Sequence, residues 1–277
     1  CKDGMKVYFR VDKLPALGSR EFRLVESPRA AKINRPAIKA KHADGTIAVG
    51  NKEFSLKIPA GLNADGSAPA PVLGVRSGKG KWIGNGRIKF SDWLKVQRLT
   101  TEEIESGPLW KTYKLTYDCG NKHEYFVTVK IFSTGTYAEI REESHLLYAS
   151  HWELSLKKGL EPDHYWTHRN KLVPINFQDS RTKGNIGAIQ MPVYSGIWVP
   201  DDYYYVALMR QSDGTGTAVC AAGINGGFWD YPYENQIDLE RRSGGDAFLK
   251  LSIKAGHRAW LLCTFPQAQI TGTEPVY

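Results

Sequence analysis

Sulfur is scarce in this chain: 277 residues carry four cysteines and three methionines. Cys1, Cys119, Cys220 and Cys263 form no CxxC pair and show no metal-ligand spacing, which argues against a structural zinc site and against thiol redox chemistry. Cys220 and Cys263 fall inside apolar runs, where a thiol behaves as a small hydrophobe. A disulfide between them would suit a secreted protein, but spacing alone does not establish one. No run approaches the ~18 apolar residues of a membrane helix, so no helical span is expected. Neither an initiator Met nor a basic-then-apolar signal segment is present. Beginning at Cys1, the chain reads as a mature or trimmed piece of something longer. Cys1 could carry the lipid of a bacterial lipoprotein, but the strand-like run that starts almost at once favours a plain boundary.

Catalytic signatures are equally sparse. Gly223–Gly227 (GINGG) lacks the Lys and helix of a P-loop, and its spacing is not GxGxxG. GxSxG, a usual serine-nucleophile pattern, is missing. There is no internal repeat and no low-complexity tract. No cofactor and no metal are expected.

A net charge of +8 suggests a polyanion partner until it is located. Residues 1–41 hold 11 Lys/Arg against 4 Asp/Glu, and the remainder 26 against 25. The basicity is therefore that of an N-terminal arm, which reads as solvated or packed on an acidic neighbour, and no nucleic-acid partner is expected. The basic, Pro-containing stretch 26–45 reads as a linker. It divides the chain into 1–45, the edge of a preceding β-sandwich with strands at 5–11 and 20–25, and 46–277, the main domain.

What the chain has in abundance is period-2 alternation. Tyr113, Leu115 and Tyr117 share one face of 110–117. Tyr125, Val127, Val129 and Ile131 do the same in 123–131, with DCGN as the hairpin link. Strand patterns also occupy 46–50, 53–58, 136–142, 145–156, 186–191, 203–210, 217–223, 235–240, 247–253 and 257–265. This density with short loops predicts an all-β fold, a large antiparallel β-sandwich with little helix. Only 100–106 (TTEEIES) has helical character, with Thr100 and Glu103 placed for a capping box. The stretch 61–71 (GLNADGSAPAP) reads as a soft loop, too small and polar for a core.

Aromatic residues crowd 184–235 among Gly, Pro, Asn and Asp, which make turns rather than helices. A flat ring beside a hydrogen-bonding side chain suits a sugar, which has an apolar C–H face and a rim of hydroxyls. Trp82, Trp166, Trp198 and Trp229 lie near turns and are the stacking candidates, with Tyr231 and Tyr233. Asp202, Asp230 and Asn235 are the hydroxyl partners. Trp110, Trp152 and Trp260 sit in alternating strands and are assigned to the core. In the cluster DHYWTHRN (163–170), His164, His168 and Arg169, joined by Tyr204, supply the residue types for abstracting a proton α to a uronate carboxylate. A structural loop explains the same cluster as well.

Two stretches carry a family likeness. VYFRVDKLPALGSREFRLV (7–25) resembles the closing strands of the small β-sandwich that precedes the C-terminal β domain of family 38 α-mannosidases and related large bacterial glycosidases. ESGPLWKTYKLTYDCG with HEYFVTVKIFSTGTYAEIREES, within 105–144, resembles the body of that β domain. The resemblance implies a β-supersandwich of the galactose-mutarotase-like kind, which several polysaccharide lyases also possess. It also implies that chemistry sits largely on a neighbouring domain. The expected function is a carbohydrate-recognising module of a secreted bacterial polysaccharide-degrading enzyme, located outside the cell, in the periplasm or at the cell surface. Its expected partners are a polysaccharide or oligosaccharide, possibly acidic, and the other domains of a larger enzyme. Two alternatives stand beside it: part of an active polysaccharide lyase or glycoside hydrolase site, and a structural domain bracing a catalytic neighbour.

Overall fold

The computed structural model describes residues 38–146, 150–156, 158–167, 170–174, 189–191, 204–210, 217–223, 237–241, 247–253 and 256–266. By backbone proximity the chain divides into Cys1–Asn34 and Arg35–Tyr277. The first unit, including the strand patterns at 5–11 and 20–25, lies outside the described residues.

Every described element is a strand, and every strand pairing is antiparallel. A four-stranded sheet follows chain order: β1 (Lys39–Ala43), β2 (Thr46–Gly50), β3 (Phe54–Pro59) and β4 (Gly74–Ser77). A five-stranded sheet places β13 (Ile189–Met191), β16 (Ile237–Arg241), β17 (Ala247–Ile253), β10 (Ser150–Ser155) and β5 (Asn85–Lys89) side by side. The nine-stranded sheet begins with β12 (Asn170–Pro174), β11 (His164–Thr167), β14 (Tyr204–Met209) and β15 (Thr217–Gly223). It continues through β18 (Gly256–Pro266), β9 (Tyr137–Ser144), β8 (Glu124–Phe132), β7 (Trp110–Asp118) and β6 (Arg98–Ser106).

The core follows from the alternation. Tyr113 faces Val129, Leu115 faces Val127 and Tyr117 faces Tyr125 across β7 and β8, and all six are buried. The next rung sets Val129 against Ile140 and Ile131 against Ala138, again buried. Branched and aromatic pairs of this kind stabilise a sheet by about 0.2–1 kcal/mol each beyond their burial. Phe54, Leu56 and Ile58 of β3 and Trp152 and Leu154 of β10 belong to the same buried cluster, so all three sheets share one core. A polar clip crosses it. The buried Glu142 carboxylate of β9 accepts from the Tyr125 hydroxyl of β8 and, at 2.9 Å, from Trp152 Nε1 of β10.

The small sheet is tied to the large one at a corner. Asn51, between β2 and β3, donates from Nδ2 to the carbonyls of Phe132 and Gly135 at 2.8 and 2.9 Å. Its Oδ1 accepts the amides of Glu53 and Phe54.

Three sequence expectations need correction. Residues 100–106 form the edge strand β6, not a helix. Thr100 pairs with Thr116, and the Glu103 carboxylate binds Lys111 Nζ and the Tyr113 hydroxyl across the ladder instead of closing a capping box. Trp110 is half-buried on the outer face, its Nε1 donating to Glu105 and its ring under Lys130 Nζ. Trp152 is in the core as expected. The end of the 61–71 loop is not soft, because Ala70 is fully buried in the core cluster.

Candidate functional site

A concavity forms where the four-stranded sheet meets β5. After β4 the chain turns at Gly78, whose φ of +49° suits glycine. Val75 and Ile83 then exchange both backbone hydrogen bonds at 2.8 Å. That return lays Trp82 over Gly74, where a Cβ would stand 3.8 Å from the indole edge. One residue further, Gly84 donates to the Lys158 carbonyl at 2.9 Å. β5 then runs so close to residues 72–73 that a Cβ on Gly86 would stand 1.8 Å from the Val72 carbonyl oxygen. The Tyr117 hydroxyl, buried and held well above the usual phenol range by burial, donates to the Pro69 carbonyl at 2.9 Å. It anchors the loop of residues 63–67, which closes on itself: the Asn63 amide and carbonyl bond Ser67 and Gly66, while Asp65 accepts from Ser67 Oγ and N. Those two bonds from Ser67 keep the Asp65 carboxylate below its usual range.

The result is a cleft of about 540 Å³ walled by Trp82 and floored by Gly74, Gly84 and Gly86. Asn63, Ser67, Asn85 and Thr46 stand at its margin with Lys57, Arg87 and Lys158. The half-buried Trp82 ring carries Lys57 Nζ at 4.8 Å and Arg76 Cζ at 4.6 Å from its centre. No Asp or Glu lines the cleft among the described residues.

Of the expected site residues, Trp82 lines this cleft. Trp198, Asp202, Trp229, Asp230, Tyr231, Tyr233, Asn235, His168 and Arg169 lie outside the described residues. Trp166 and Tyr204 are placed by backbone only, in β11 and β14. His164 opens β11, partly buried, with Nδ1 2.8 Å from the Asp163 carboxylate. The ladder pairs His164 with Met209 and Thr167 with Val206, while Tyr204 pairs with Gly223. Tyr204 and Gly223 thus sit at the Thr167 end of the ladder, where β11 passes into β12 through Thr167 and Asn170. His164 sits at the opposite end. No group of three metal-ligating side chains occurs among the described residues. Cys119 is no nucleophile, since burial and the neighbouring Asp118 push its thiol up to about 11. The register places Cys220 directly across from Cys263.

The basic rim was not visible as a motif, since Lys57, Arg87 and Lys158 come from three separate segments. Trp93, 55 % exposed beside His123 at 5.6 Å, was also unassigned from sequence.

No protein-family model and no curated protein matches this chain. Solved structures with similar strand courses include a galactose mutarotase related enzyme of Lactobacillus acidophilus, with TM-score 0.47 at 10 % identity, covering 79 % of this chain and 97 % of that one. A ligand-free α-N-acetylgalactosaminidase of Bifidobacterium bifidum gives TM-score 0.46 at 11 % identity, covering 82 % of this chain and 35 % of that one. A putative mutarotase of Salmonella typhimurium gives 0.36 at 9 %, covering 83 % and 94 %.

Proposed function

We propose that this chain is a carbohydrate-recognising β-sandwich module of a secreted polysaccharide-degrading enzyme, with the cleft beside Trp82 as its sugar site. The carrying observation is the pairing of a rigid indole wall with an amide and hydroxyl margin in one concavity of about 540 Å³. That size falls in the range of small-molecule sites, about 300–1,000 Å³. A sugar ring sets its C–H face on an apolar wall and its hydroxyls on Asn and Ser groups. The two cations on the indole brace it and narrow its motion. In affinity electrophoresis through gels containing neutral and acidic polysaccharides, the chain should be retarded by at least one. Trp82→Ala should remove that retardation while circular dichroism and the melting transition stay those of a folded sheet protein. A folded Trp82→Ala variant that is still retarded would place recognition elsewhere.

One observation favours a second reading, in which the chain contributes to a lyase or hydrolase site. The strand register gathers Thr167, Asn170, Tyr204 and Gly223 at one end of the nine-stranded sheet. Polyuronate incubation followed by ultraviolet absorbance of unsaturated product tests it. Product from the parent chain that Tyr204→Phe abolishes would support lyase catalysis, whereas no unsaturated product from any polyuronate would dismiss the lyase form of this reading.

A further inference from the structure

We infer that the cleft receives an anionic group, a carboxylate or sulfate carried on an acidic saccharide, through Lys57, Arg87 and Lys158 of its lining and Arg76 on the adjacent Trp82 ring. This rests on the carbohydrate reading above and narrows it to a charge class.

Elsewhere in the same body several cations meet carboxylates. Arg98 meets Asp118, Lys111 meets Glu103 and Arg141 meets Glu139. Beyond residue 41 the chain is close to neutral, with 26 basic against 25 acidic residues. Lys57, Arg87 and Lys158 line one concavity that no described carboxylate lines, and neither they nor Arg76 on the adjacent Trp82 ring form an ion pair with a described carboxylate. The nearest acids are otherwise engaged. Glu153 stands opposite Arg87 in the ladder, but it is 5 % exposed and its carboxylate lies 3.8 Å from His151 Nε2. Asp65 is bonded by Ser67.

Arg76 supplies an independent sign. Its Nε is buried without a hydrogen-bond partner, and its Nη2 reaches only Ser55 Oγ at 3.4 Å. A guanidinium left this poorly satisfied gains most from a planar two-oxygen acceptor. Lys57 and Arg76 are also pre-positioned by the indole they share, so a ligand meets charges whose side-chain freedom is already reduced. Like charges held together without a counter-ion repel one another, and an arriving anion removes that repulsion. The enclosed shape, glycine floor and single indole fit one or two sugar rings rather than a duplex, which requires a broad basic surface.

The test is titration calorimetry of the whole chain with three hexasaccharides: oligogalacturonate for carboxylate, a sulfated galactan for sulfate, and a neutral galactan. Arg87 and Lys158 are exposed, so Arg87→Gln/Lys158→Gln should leave the melting temperature unchanged. We expect one acidic hexasaccharide to bind about tenfold more tightly than the neutral one. The double variant should lose about tenfold of that affinity, and raising salt from about 50 to about 300 mM should weaken it several-fold. The better acidic ligand identifies the anion. Equal binding of neutral and acidic sugars, or a double variant that binds like the parent, would overturn the charge assignment and leave the carbohydrate module standing. Binding of none would overturn both. Duplex DNA bound as tightly as the acidic sugar would overturn the saccharide assignment alone.

Discussion

Glu103 shows how one side chain decides the identity of its segment. By sequence it resembles the third position of a helix cap. In the fold its carboxylate accepts from Lys111 Nζ at 2.8 and 2.9 Å and from the Tyr113 hydroxyl at 2.6 Å. The Lys111 bond chiefly, then that of Tyr113, holds its pKa down to about 2 from an ordinary 4.5. A lowered folded-state value means the contribution is complete above about 4.5 and disappears as pH falls through about 2. The site is solvent-accessible, so screening limits that contribution to about 1 kcal/mol. Glu103→Gln should therefore reduce stability by about that amount at neutral pH, and the gap to the parent should close as urea unfolding is repeated from pH 5 downward. A gap that persists at the acid end would show that the carboxylate charge is not what matters.

At the scale of elements, the strands that were legible from sequence were those with one buried face. The 110–131 hairpin matches its expected limits closely, because period-2 burial leaves a pattern that composition cannot hide, and Thr217–Gly223 matches its expected limits as well. β6 was not legible. An edge strand has a partner on one side only, and its outer half is exposed, so its charges look helical. Its register also shifts between Glu103 and Glu105, a bulge that local propensity does not announce. β5 carries the opposite lesson, since its placement depends on the absence of a side chain. Gly86 lets β5 donate to the Leu73 carbonyl at 3.2 Å. Gly86→Ala would force main chain from main chain and should destabilise the domain by about 3 kcal/mol in urea titrations, with saccharide retardation lost before the fold. A variant as stable as the parent would mean the two segments separate freely.

Across the whole molecule, the three sheets behave as one body because polar links cross between them. Glu142 receives the Tyr125 hydroxyl and the Trp152 indole, one from its own sheet and one from the facing sheet. Glu142→Ala would leave buried donors unsatisfied and should cost about 3 kcal/mol, with intrinsic tryptophan fluorescence and far-ultraviolet dichroism still changing together. Separate transitions by the two probes would instead mean that the sheets melt independently. This link, like the cleft, was beyond sequence reading. Trp82 could be marked from its turn-rich neighbourhood, but Lys57, Arg87 and Lys158 are brought beside it only by strand crossings that no local pattern encodes.

The glycine floor of the cleft divides the molecule's room for change. Gly74, Gly84 and Gly86 stand where added carbon would meet the Ile83 carbonyl, the Leu154 side chain and the Val72 carbonyl, so the depth of the recess is inherited with the backbone. The margin has no such constraint, because Asn85, Arg87 and Lys158 are exposed and can be exchanged without disturbing what lies beneath. Directed evolution toward a new glycan should therefore accumulate its useful substitutions around the mouth, while libraries randomised at the base yield mostly unfolded chains.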